Sequence, residues 1–92
     1  MARLLPEQID ERLGALPGWE RAGEAITRDF DRGDFAGSVE FLDAILPVAE
    51  ELGHHPDVAI SWATVSVTVT THSEGGLTLA DFDLAARIDS LA

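Results

Sequence analysis

The chain has 92 residues, no cysteine, and six basic residues against seventeen acidic ones, a formal charge of −11. Without cysteine there is no disulfide framework, no thiolate metal site and no cysteine nucleophile. A chain this acidic is repelled by phosphate backbones, and its basic residues (Arg3, Arg12, Arg21, Arg28, Arg32 and Arg87) are scattered, so no nucleic-acid partner is expected. Hydrophobic residues make up 46% of the chain, enough for one modest core and too many for disorder. No run resembles a membrane span, and the first residues lack an apolar signal core. The expectation is one cytoplasmic domain covering residues 1–92.

Residues 6–16 read as a first helix. Pro6 suits the first helical position, Glu7, Asp10 and Glu11 suit a helix N-terminus, and Leu5, Ile9, Leu13 and Leu16 form a stripe. Pro17-Gly18 stops it. Residues 19–31 read as a hairpin that turns at Ala22-Gly23-Glu24, with Ile26, Arg28 and Phe30 on one side of its second strand. Asp34 is a candidate N-cap for a long helix over 35–53. Phe35, Val39, Leu42, Ile45/Leu46, Ala49 and Leu52 share one face of that helix, Pro47 predicts a kink near 43–46, and Gly53 and Pro56 end it. Residues 57–72 alternate as strands, Val58, Ile60 and Trp62 on even numbers and Val65, Val67 and Val69 on odd ones. That parity switch predicts a turn or bulge near Ala63–Thr64, with His72 on the polar face at the strand end. Thr78-Leu79-Ala80-Asp81 has the spacing of a capping box for a last helix. The order α-β-β-α-β-β-α predicts an α+β domain, a four-stranded antiparallel sheet with helices packed on one face.

Three histidines, His54, His55 and His72, all sit near element boundaries. His54 and His55 follow a helix C-terminus, where the helix dipole favours an imidazolium. Glu50 and Glu51 lie one helical turn before them and can orient the rings. Two imidazoles facing each other across a cleft make an acid/base pair that operates near neutral pH. The same residue types admit plainer readings, a histidine at a helix end or in a solvated turn, and three histidines can also hold zinc.

The stretch Glu50-Glu51-Leu52-Gly53-His54-His55-Pro56 resembles the signature of the pterin-4a-carbinolamine dehydratases. In that family an acidic residue precedes His-His-Pro by one helical turn. The aromatic that follows is matched by Trp62, the Thr-His pair by Thr71-His72, and the Gly-Leu-Thr and Asp by Gly76-Leu77-Thr78 and Asp81. Gly18-Trp19 and the pattern Ile26, Phe30, Asp34-Phe35, Phe41 extend the resemblance over nearly the whole chain.

The resemblance implies a hydro-lyase that converts 4a-hydroxytetrahydropterin to quinonoid dihydropterin in tetrahydrobiopterin recycling. It implies no metal and no cofactor, the pterin being the substrate. By position, His54 and His72 match the acid/base histidines. His55, Glu50, Asp81 and Trp19 match substrate-binding positions, although Trp19 also suits a core position under the hairpin and Asp81 the helix cap. A homodimer or homotetramer is implied, with a functional link to an aromatic amino-acid hydroxylase. The alternatives are a non-enzymatic dimerising interaction module or a pterin-binding homologue without activity. The chain departs from the family pattern at Pro47, in the helix that presents His54 and His55. It departs also at Ala80, where animal enzymes carry a basic residue, and in its charge, which speaks against their transcription-cofactor role.

Overall fold

The valines at 65, 67 and 69 decide which side of the sheet is the inside. In the structure, a computed structural model that describes residues 2–92, all three are fully buried while Thr64, Ser66 and Thr68 between them are half-exposed. The elements are α1 (Pro6–Leu13), β1 (Glu20–Ala22), β2 (Ala25–Asp31), α2 (Phe35–Leu52), β3 (Asp57–Ser61), β4 (Thr64–Val69), a 3-10 turn (His72–Glu74) and α3 (Leu79–Asp89). The four strands form one antiparallel sheet in the order β1-β2-β4-β3. Central β4 sets Val65 opposite Phe30 and Ile60, and Val69 opposite Ile26. That face carries the core together with Ile9, Phe41, Ile45, Phe82, Leu84 and Ile88 of the helices. Burying each large aliphatic there contributes about 1.5–3 kcal/mol. The other face is small and polar, with Thr27 and Thr68 joined hydroxyl to hydroxyl at 3.1 Å. The α+β architecture with helices on one face is therefore as the sequence predicts.

Local boundaries differ in instructive ways. α1 ends at Leu13 rather than Leu16, and the chain continues through tighter turns, Ala15 N–H to Arg12 O and Leu16 N–H to Leu13 O, which still bury Leu16. The β3–β4 turn falls at Trp62-Ala63, and Trp62 takes a left-handed backbone with φ +51°. Its carbonyl accepts a 2.6 Å bond from the Ser38 hydroxyl of α2, which pins this turn to the helix.

α2 departs most from the periodicity argument. Asp34 caps it as expected, accepting from Gly37 N–H at 2.7 Å. Its buried side, however, is Ser38, Phe41, Ile45, Val48 and Ala49. Phe35 and Leu46 of the expected stripe are 59% and 58% exposed, with Val39 and Leu42 exposed beside them. The helix is apolar on two sides, and packing chooses the one where the Phe41 ring meets Phe30 at 4.8 Å. The helix runs unbroken through Pro47, which lies on its exposed side. Proline there removes one intrahelical bond, so Pro47→Ala is expected to raise stability by about 1–3 kcal/mol. Thermal unfolding checks this, and an unchanged midpoint contradicts it.

Candidate active site

His54 owes its position to the way α2 stops. Gly53 adopts a left-handed backbone, φ 60°, and its N–H bonds to Glu50 O. The next N–H, that of His54, reaches back to Ala49 O at 3.1 Å. This is a Schellman-type ending, and it turns the chain sharply so that the His54 side chain leaves the helix axis. Glycine is needed for its backbone angle rather than for space, since among the described residues nothing beyond its chain neighbours lies within 4 Å of where a Cβ would sit. Gly53→Ala is expected to cost about 1 kcal/mol, read as a lower unfolding midpoint.

The turned side chain meets the other end of the chain's chemistry. His54 Nε2 lies 2.5 Å from Asp81 Oδ1, and Asp81 is fully buried. Asp81 Oδ2 accepts from Thr78 N–H at 2.8 Å and from the Thr71 hydroxyl at 2.8 Å. Asp81 therefore sits in the first turn of α3 as the capping-box partner of Thr78 and also holds His54. The end of α2 meets the start of α3 here. The negative end of one helix dipole faces the imidazole, and the positive end of the other faces the carboxylate.

His72 stands directly after Thr71. It does not end a strand, because β4 stops at Val69 and His72 opens the 3-10 turn with its side chain exposed. Thr71 O accepts from Glu74 N–H and Gly76 N–H and so closes that turn. The bond from Thr71 to Asp81 thus brings the turn carrying His72 beside the pair His54–Asp81.

The remaining expected residues are divided. His55 Nε2 and Glu50 Oε2 are 2.5 Å apart, with both side chains more than 60% exposed. An exposed pair of this kind contributes about 0–1 kcal/mol and orients the ring more than it stabilises the fold. His55 and Pro56 border an apolar groove against Leu42, Leu46 and Val58. Trp19 is not gathered with the histidines. It is buried, meets Phe30 edge-on at 6.1 Å, and donates from Nε1 to Asp89 at 2.8 Å. Asp89 lies eight residues along α3 from Asp81, about 12 Å away. Glu51 pairs instead with Arg87 of α3 at 2.6 Å. Among the described residues no three His, Cys, Asp or Glu side chains converge as a metal-holding group. No helix among them is long and apolar enough to cross a membrane.

Thr71 is the residue at this site to which sequence reasoning gave no role. Its only signal was its place directly before His72, and its bond to Asp81 spans ten residues that the strand pattern does not connect.

Fold and site together define a small α+β domain that holds an imidazole–carboxylate pair where the end of α2 meets the start of α3, with a second histidine next in chain to the threonine that braces it. Residues 2–91 match the family described as pterin 4 alpha carbinolamine dehydratase, and the chain belongs to that family. A protein of Thermosynechococcus vestitus with the provisional name pterin-4-alpha-carbinolamine dehydratase is 46% identical over 98% of this chain and 95% of its own. A protein of Roseiflexus castenholzii with the same provisional name is 46% identical over 99% of each. The crystal structure of a transcriptional coactivator/pterin dehydratase from Brucella melitensis superposes with a TM-score of 0.93 at 38% identity, covering 98% of both chains. A pterin dehydratase-like protein identified as a RuBisCO assembly factor in the α-carboxysome superposes with a TM-score of 0.70 at 31% identity, covering 82% of this chain and 89% of that one.

Proposed function

We propose that this protein is a hydro-lyase that dehydrates a 4a-hydroxytetrahydropterin to the quinonoid dihydropterin, with His54 and His72 as its acid/base groups. The reaction breaks the C4a–O bond and removes the N5 proton. One imidazolium protonates the departing oxygen, which leaves as water, and one neutral imidazole accepts the nitrogen proton. His55, oriented by Glu50, binds the substrate at the mouth of the site. Side chains do all of this, and the pterin is substrate rather than cofactor. The observation that carries the reading is the His54–Asp81–Thr71 cluster, with His72 next to Thr71 in the chain. The test is the decay of 4a-hydroxytetrahydropterin followed by ultraviolet absorbance. It is expected to be faster with protein than in buffer, and equally fast with a chelator present. No acceleration sinks the reading, and loss of rate on chelation replaces it with a metal enzyme. The physiological setting follows from the product, which suits recycling of tetrahydrobiopterin after aromatic amino-acid hydroxylation.

The second reading is a partner-binding module, and the exposed side of α2 is the observation that favours it. Phe35, Val39, Leu42 and Leu46 recur at helical spacing on one solvent-facing stripe. With edge strands β1 and β3 open for pairing, self-association as a dimer or tetramer is expected at micromolar concentration. Sedimentation showing only monomer contradicts it. A binding module keeps its partner when the histidines are removed, whereas the dehydratase loses its rate.

A further inference from the structure

We propose that Thr71 is a positioning residue that holds Asp81 so that His54 presents Nδ1, not Nε2, as its working nitrogen. The inference rests on the dehydratase reading for its kinetic consequence, but its geometry stands apart from it.

The argument follows the hydrogens. The amide of Ala80 donates to Thr78 Oγ1 at 3.2 Å. The Thr71 hydroxyl spends its one proton on Asp81 Oδ2. In the 3.0 Å contact between the two threonine oxygens, Thr78 is therefore the donor and Thr71 the acceptor. The chain of bonds runs one way, from the Ala80 amide through Thr78 and Thr71 to Asp81, and each bond polarises the next. Thr78 N–H, which can only donate, also points at Oδ2. As a carboxylate with two donors on Oδ2, Asp81 only accepts, and its Oδ1 accepts from His54 as well. His54 Nε2 must then carry the hydrogen across the 2.5 Å contact.

That leaves Nδ1. It has no hydrogen-bond partner among the described residues, nor is it sealed away, since the one buried side-chain polar atom without a partner there is Arg32 Nε. Nδ1 is therefore the nitrogen able to give or take a proton at the open side of the site. The same Thr71 carries His72 as its chain neighbour and closes the 3-10 turn through its carbonyl. One residue thus sets the tautomer of the first histidine and the place of the second.

Two-bond proton–nitrogen correlation spectra of the uniformly 15N-labelled full chain test this, with the signals assigned from His55→Gln and His72→Gln. In the substrate-free protein, the neutral His54 ring is expected to carry its hydrogen on Nε2. A ring protonated on Nδ1 overturns the proposal without reference to any activity. In Thr71→Val the ring is expected to become a mixture of tautomers. The rate constant kcat is expected to fall about 10-fold while KM moves less than about twofold, with Thr71→Ser restoring both rate and spectrum. An unchanged spectrum and kcat in Thr71→Val overturns the role given to Thr71. Should Thr71→Val fail to fold, Thr71→Ala and Thr71→Ser take its place with the same readouts. A wild-type protein with the expected tautomer but no dehydration defeats the dehydratase reading and leaves the assignment of the nitrogen standing.

Discussion

The double replacement His54→Ala/His72→Ala is expected to reduce dehydration of a 4a-hydroxytetrahydropterin to its rate in buffer alone. A positioned general acid or base contributes about 10²–10⁴-fold, or about 3–5 kcal/mol of barrier. Each single variant is therefore expected to lose about 10²-fold or more in kcat. The two singles differ in what else they disturb. His72 is exposed and its side chain makes no hydrogen bond among the described residues, so His72→Ala tests chemistry with little change in stability. His54→Ala strips the fully buried Asp81 of one donor, and an unsatisfied buried acceptor costs about 1–3 kcal/mol. Circular dichroism at the assay temperature separates the two effects for His54→Ala. A double variant that retains the wild-type rate removes both histidines from the mechanism.

The largest expected loss of stability comes from a residue remote from the three histidines. A Cβ at Gly37 would overlap the carbonyl oxygen of Arg32 and press on Asp34 Oδ1, the cap of α2. The carbonyl cannot simply move aside, because Arg32 is tied by its own N–H to Ala63 O at 2.7 Å, across to the β3–β4 turn, and the peptide of its carbonyl by Gly33 N–H to Asp31 Oδ1 at 3.0 Å. Overpacking against backbone costs about 1–3 kcal/mol, and a weakened N-cap adds about 1 kcal/mol. Gly37→Ala is thus expected to lower stability by about 2–4 kcal/mol, a drop in Tm of roughly 10–25 °C for a domain of this size. A midpoint within about 2 °C of wild type shows that α2 can shift bodily, contrary to its bonds to the sheet. Gly18 is the milder comparison, since its added Cβ would meet the movable Arg28 side chain, though at a positive φ.

Patterns with a short period were readable from sequence, and those made by tertiary contact were not. The alternating valines of β4 announced the sheet, because a strand's two faces are written into every second residue. Asp34 and the box Thr78–Asp81 announced two helix starts, because caps are local chemistry. α2 misled because both its sides are apolar, so periodicity alone could not say that Phe41, Ile45 and Val48 face the sheet while Phe35 and Leu46 face solvent. His72 was placed on a strand because Thr70, Thr71 and His72 continue the β-like composition. The chain leaves the ladder after Val69, and Thr71 pairs back with Gly76 instead. The convergence of His54 with Asp81, 27 residues apart, follows from how two helix ends meet, and the resemblance to the dehydratases named both residues without giving that contact.

Asp81 serves the helix with Oδ2 and the histidine with Oδ1 of one carboxylate, so the two duties cannot be tuned separately. Any event that pulls His54 away, whether a ligand, a proton or a substitution, also disturbs the bond that holds the amide of Thr78. That backbone hydrogen, fully buried and donated to the site's own carboxylate, becomes a gauge of the site's integrity. Its exchange with deuterium should slow when a pterin tightens the cluster and quicken when the carboxylate is lost, with no label placed near the substrate.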